Sequence, residues 1–99
     1  MSTLHVLSHS PFADSRLNTC LRVLGGEDAI LLCGDATYAL NASTVARQAL
    51  DARADNLKLF VLDEDASARH IELPDWVKAI DYPGFVELSV HYDKVNTWL

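Results

Sequence analysis

Apolar positions along this 99-residue chain come in two alternating rhythms: short unbroken runs, and stretches in which every third or fourth residue is apolar. Leu4-His5-Val6-Leu7 is the first run, and it predicts a strand. Leu17, Cys20, Leu21 and Leu24 then recur at helical spacing. A first helix is therefore expected from about Pro11 to Leu24, with Ser10 as its cap, Pro11 at N1, and Gly25-Gly26 as a stop able to take positive φ. Ala29-Ile30-Leu31-Leu32-Cys33 is apolar throughout, as suits a strand covered on both faces of a parallel sheet. Ala36 to Leu40 is softer and reads as a loop or short element. Ser43 is placed as the cap of a second helix over Thr44 to Arg53, with Val45, Ala46, Ala49 and Leu50 facing inward.

Leu57 to Leu62 is the clearest strand, and the acidic turn Asp63-Glu64-Asp65 opens a brief helix ending near Arg69. Val77 to Ile80 gives a fourth strand, Pro83 or Gly84 to His91 a fourth helix, and Val95 and Trp98 a last short turn. Strand and helix thus alternate four times, without repeats or linkers. The pattern predicts a small layered α/β fold, a mostly parallel four-stranded sheet with helices on both faces, in one domain over residues 1–99. In such a sheet the ligand edge lies beyond the carboxyl ends of the strands. That edge would carry Ser8, His9 and Ser10, then Cys33, Gly34 and Asp35, then Asp63 and Asp65, then Asp81 and Tyr82.

Charge narrows the function. Eight Lys and Arg against fourteen Asp and Glu leave a formal charge of −6, which argues against direct nucleic-acid binding driven by phosphate. No window approaches the ~20 apolar residues of a membrane span, and no basic leader precedes a long apolar stretch, so a cytoplasmic location is the expectation. The four histidines are scattered, and no metal spacing results. Neither Gly25-Gly26 nor Gly34 makes a phosphate-gripping loop, so no cofactor is expected and a flavodoxin-like small-molecule binder is a minor option.

The chemistry that remains is thiol chemistry. Cys20 and Cys33 form no Cys-x-x-Cys pair and are expected to be free. A thiolate at Cys20 could attack a persulfide and hold the transferred sulfur, yet its place between Leu17 and Leu24 on an apolar helix face favours a core role. Cys33 ends a strand at the ligand edge, where it is either a working thiol or the last core residue. A stand-alone thiol enzyme would use one of the two. His5 alternates with Leu7 and reads as a buried imidazole bonded to backbone, whereas His9 lies in the loop after the first strand. Asp63, Glu64 and Asp65 read as a solvated capping turn rather than an acid/base or magnesium cluster. The terminal Val95-Asn96-Thr97-Trp98-Leu99 is unusually apolar for a chain end. We expect Val95, Trp98 and Leu99 to dock in a subunit interface; Trp76 and Phe85 either belong to the same or a neighbouring apolar surface or pack within the chain.

Several fragments, in order and spacing, resemble the DsrH/TusB family over nearly the whole chain. They are Leu4-His5-Val6-Leu7-Ser8-His9-Ser10-Pro11-Phe12, Gly26 to Leu32 with Gly34-Asp35 and Tyr38-Ala39, Leu59 to Asp65 with Ala68-Arg69, Ile80 to Leu88, and Trp98. The resemblance implies a small α/β subunit, without independent catalysis, that assembles with TusC/DsrF-like and TusD/DsrE-like relatives into a heterohexamer, a dimer of heterotrimers. Such complexes relay persulfide sulfur in the cytoplasm, either toward 2-thiouridine at the tRNA wobble position or in sulfur oxidation. The principal carrier cysteine belongs to the DsrE/TusD-type subunit. DsrH-type chains often keep a cysteine in helix one, where Cys20 falls, making it the candidate accessory persulfide carrier. Cys33 has no counterpart in the family pattern, and Gly34-Asp35 departs from the familiar Asp-Gly order. Self-association of the chain by itself is also consistent with this picture.

Overall fold

Five parallel strands, one more than the hydrophobic pattern predicts, form the sheet of the computed structural model, which describes residues 2–12 and 15–98. The strands are β1 (Thr3–Leu7), β2 (Ala29–Leu32), β3 (Lys58–Leu62), β4 (Lys78–Ile80) and β5 (Lys94–Trp98), arranged in the order β4-β3-β2-β1-β5. Between them lie α1 (Arg16–Val23), a 3-10 helix (Gly34–Leu40), α2 (Val45–Asp51), α3 (Asp63–Ala68) and α4 (Tyr82–His91). The α/β class, the parallel sheet and the helices on both faces are as the sequence predicts.

Chain direction explains how the helices divide. From β1 to β4 the chain steps one way across the sheet; from β4 to β5 it crosses back over three strands. Right-handed crossovers therefore put α1, α2 and α3 on one face and leave α4 alone on the other. The core is split accordingly. Leu17, Cys20 and Leu21 of α1, Leu40, Leu50 of α2 and Ala66 of α3 pack on Leu7, Ile30, Leu32, Leu59 and Val61. On the opposite face Phe85 and Leu88 of α4, with Tyr92, pack on Leu4, Val6, Ala29, Leu31 and Phe60. All four residues of β2 are buried, as expected for the central strand of a sheet covered on both sides.

Several boundaries move. Ser10 does not cap a helix: its Oγ accepts from the amide of Phe12 at 3.3 Å and closes a tight turn. The helix starts only after Ser15, whose side chain makes no cap bond; Ala13 and Asp14 of the expected helix lie outside the described residues. Neither Gly25 nor Gly26 takes positive φ. Of the four glycines only Gly34 does, at 52°. Leu24 turns the chain extended instead, and the Gly25 amide donates to Asp28 at 2.9 Å. Thr44 rather than Ser43 caps α2, accepting from the Arg47 amide at 3.1 Å. Ser43 takes φ of 70°, and Val45, expected to face inward, is 82 % exposed.

The terminal segment is a strand rather than a turn. β5 pairs in parallel with β1, Thr3 opposite Lys94 through Leu7 opposite Trp98. Val95 therefore faces the same side as Leu4, and Trp98 the same side as His5 and Leu7. No helix among the described residues is long and apolar enough to cross a membrane.

Candidate functional site

The two thiols fall in different layers, and neither is presented as a nucleophile. Cys20 is fully buried on the core side of α1. Burial, reinforced by the Asp28 carboxylate against a weaker pull from Arg53, pushes its thiol up to about 12. Arg53 lies close because its guanidinium donates to the Leu21 carbonyl near the end of α1. A thiol held protonated in an apolar core packs as a small hydrophobe.

Cys33 follows β2 at the carboxyl edge of the sheet and is half-buried. Its Sγ points at the Leu7 carbonyl, 3.6 Å away. Desolvation and the Asp65 carboxylate raise its pKa, and the Arg69 guanidinium offsets only part of this. The residues around it brace one another. Gly34 donates its amide to Asp65 at 2.7 Å. Arg69 donates from Nε and Nη2 to Asp35 at 3.2 and 3.0 Å, and from Nη1 to the Asp65 carbonyl at 3.0 Å. The same guanidinium lies 5.7 Å from the centre of the Tyr38 ring. Asp65 is thus a tie between α3 and the 3-10 segment rather than part of the solvated capping turn that the sequence suggests. Gly34 suits this place because its φ of 52° lies in the left-handed region that favours glycine, while an added Cβ would only make ordinary contact with the Ser8 carbonyl at 3.4 Å. The sheet edge foreseen from the sequence does assemble Cys33, Gly34, Asp35 and Asp65. Asp81, further along that edge, spends its carboxylate capping α4 through the Gly84 amide at 2.8 Å.

Sequence reasoning missed the polar cluster on the other flank. His5 is buried, bonded to side chains rather than backbone: its Nε2 lies 3.4 Å from Asp28 Oδ2, and Trp98 Nε1 donates to its Nδ1 at 3.0 Å. An indole N–H only donates, so Nδ1 accepts and the ring proton sits on Nε2, toward Asp28. Asp28 also accepts from the amides of Thr3 and Gly25, each at 2.9 Å. Trp98 accordingly folds onto its own core, whereas Val95 stays exposed and Leu99 lies outside the described residues. Trp76 packs against the core of the three-helix face and Phe85 against that under α4. Trp98→Phe keeps an aromatic body but deletes the donor. We expect a loss of about 1 kcal/mol, read as a lower urea midpoint; an unchanged midpoint would mean the indole bond contributes nothing.

A cavity of about 490 Å³ opens between Asn41, Arg47, His70, Glu72 and Pro74. Arg47 turns back to the Leu40 carbonyl and to Asp51, at 2.9 and 3.0 Å, so its charge is already engaged. No group of three or more His, Cys, Asp or Glu among the described residues is placed to hold a metal ion.

Comparison with known proteins agrees with the fragments read from the sequence. Residues 9–95 match the family model described as DsrH like protein. Protein TusB of Pectobacterium parmentieri is 35% identical over 97 residues, covering 96% of this chain and 99% of that one. Among solved structures, the ychN protein from E. coli superposes with a TM-score of 0.78 at 20% identity, over 99% of this chain and 100% of that chain. A protein of unknown function, MTH1491 from Methanobacterium thermoautotrophicum, does so with a TM-score of 0.61 at 8% identity, over 96% of each chain. Both share the fold.

Proposed function

The chain belongs to the DsrH family, and from that premise we propose that it is a docking subunit of a cytoplasmic sulfur-relay complex serving 2-thiolation of the tRNA wobble uridine. It acts as one DsrH/TusB-like domain beside TusD/DsrE-like and TusC/DsrF-like partners, and the principal persulfide carrier is a cysteine of the TusD/DsrE-like subunit. The observation that carries this reading is the full burial of Cys20 on the core side of α1, in a chain 35% identical to a protein TusB over nearly its whole length. A carrier must expose a thiolate to meet its donor. This chain instead exposes aliphatic and aromatic side chains: Phe12 and Val45 on the three-helix face, Val86 and Val90 on α4. The acidic surface suits work on RNA through another protein rather than by direct contact.

The test is genetic and chemical together. Deleting the gene should strip 2-thiouridine from tRNA, measured by mass spectrometry of digested nucleosides, and the wild-type chain should copurify with its two relatives. Cys20→Ser should restore the modification fully. Failure of Cys20→Ser alone, with complex assembly intact, would make Cys20 an accessory carrier. Full thiolation in the deletion strain, with sulfur oxidation lost, would move the chain to the other branch of the family.

A further inference from the structure

We propose that His5 is a proton-operated latch on β5: the neutral ring holds the Trp98 end of the strand, and the protonated ring releases it. β5 is an outermost strand and pairs with β1 alone. Its two ends are held differently. At the Lys94 end, the Lys94 amide donates to the Ser2 carbonyl and the Ser2 amide to the Asp93 carboxylate, each at 3.1 Å. Lys94 to Thr97 are exposed, whereas Trp98 packs on the core of the three-helix face. There the indole Nε1–H donates to His5 Nδ1 at 3.0 Å, and His5 is only 5 % exposed.

Donor counting makes the device. A neutral imidazole has one N–H and one lone pair, and here both are engaged: Nε2–H faces Asp28 Oδ2 at 3.4 Å, and the Nδ1 lone pair takes the indole. A second proton can enter only at Nδ1. Two N–H groups then point at one another, and no rotation of the ring removes the conflict, because both nitrogens of an imidazolium donate. Nor does the cation gain from the indole ring. It meets the N–H edge, the positive rim of that quadrupole, with the ring planes tilted by 46° and not stacked. Charge decides which partner stays. The Asp28 carboxylate holds an imidazolium more strongly than a neutral ring, so His5 keeps Asp28 and Trp98 leaves, its place at Nδ1 taken by water. An edge strand with one neighbour opens locally without unfolding the sheet. The other ionisable groups around the joint do not supply the response. Cys20 of α1 and Tyr92 after α4, which both feel Asp28, are held neutral chiefly by burial, and Arg53 donates to the Leu21 carbonyl. Glu27, beside Asp28, and Lys94, in register with Thr3, are exposed.

The latch does not depend on the relay reading, and NMR on the purified, isotopically labelled full-length chain tests it. At about pH 8 the imidazole nitrogens of His5 should report the Nε2–H tautomer. Between about pH 8 and about pH 5, the span in which histidine side chains titrate, the Trp98 indole proton should move toward its position in free indole. Its protection from exchange, relative to free indole at the same pH, should fall by roughly tenfold or more. Both changes should share the midpoint of Nδ1 protonation, while the Trp76 indole and the β2 amides stay as they were. His5→Gln, whose side-chain oxygen can accept from the indole and whose amide can donate to Asp28 without ionising, should keep Trp98 closed at both ends of that span. An Nδ1–H tautomer at about pH 8, a Trp98 indole indifferent to pH, an opening that Trp76 and β2 share, or the same opening in His5→Gln each overturns the proposal. The first three are read on the wild type, so they decide the matter even where His5→Gln fails to fold.

Discussion

At pH 8, iodoacetamide should alkylate the unfolded chain first, Cys33 of the folded chain more slowly, and Cys20 slowest by a wide margin. An unperturbed thiol with pKa about 8.5 is roughly one-quarter thiolate at that pH. Cys20, pushed up to about 12, is thiolate in roughly one molecule in ten thousand, a deficit of more than a thousandfold before its lack of exposure is counted. Its labelling should therefore follow transient opening of the α1 layer and accelerate steeply with mild denaturant. Mass spectrometry of wild type, Cys20→Ser and Cys33→Ser separates the two sites. A Cys20 rate within tenfold of the unfolded chain would show that α1 offers its thiol to solvent and would return Cys20 to the list of carriers. The same outcome would revive a stand-alone thiol enzyme, which the upward shift of both thiols by burial argues against.

Stability should report the same burial. Cys20 is raised in the folded state, so its contribution is complete below the unfolded value of about 8.5 and is lost as pH climbs toward 12. Cys20→Ala should accordingly soften the alkaline loss of stability while leaving neutral pH little changed in slope.

What the sequence made legible was the part built from uninterrupted apolar runs and helical spacing. The β1 to β4 strands, the four helices in order, and the α/β class all follow from where Leu, Ile and Val fall. The carboxyl edge with Cys33, Gly34, Asp35 and Asp65 was legible too, because strand order in a parallel sheet fixes which loops converge. β5 was not. Lys94-Val95-Asn96-Thr97 shows one apolar residue among polar ones, which is how an edge strand with an open face reads. Only its backbone pairing with β1 declares it a strand. Ser43 lost to the neighbouring Thr44 hydroxyl, whereas Ser10 closes a turn, since a serine two residues before an amide does so as readily as it caps a helix. His5, Asp28 and Trp98 escaped because their partnership spans 93 residues. A lone Asp before a strand and a Trp near a chain end carry no local sign that one imidazole joins them.

That joint is where the largest loss of stability from a single polar substitution is expected. Asp28→Ala should lower the free energy of unfolding by about 3 kcal/mol, since it removes a charged acceptor from two backbone amides and leaves the His5 Nε2 proton buried without a partner. Burial alone would push the Asp28 carboxyl up, but the amides of Gly25 and Thr3 and the His5 ring outweigh it and hold the group below the usual carboxylate range. Its stabilisation is thus complete above the unfolded value of about 3.9 and drains away as pH falls through the lower folded value. Urea midpoints from pH 7 down to pH 2 should show this acid limb in wild type and a shallower one in Asp28→Asn, which cannot ionise. Because Asp28 orients the ring that accepts from Trp98, Asp28→Ala and Trp98→Phe should not add: the double variant should lose less than the sum of the two. Strict additivity would mean that His5 keeps its place without the carboxylate, and that β5 is held to the sheet by its backbone pairing and the packing of the indole alone.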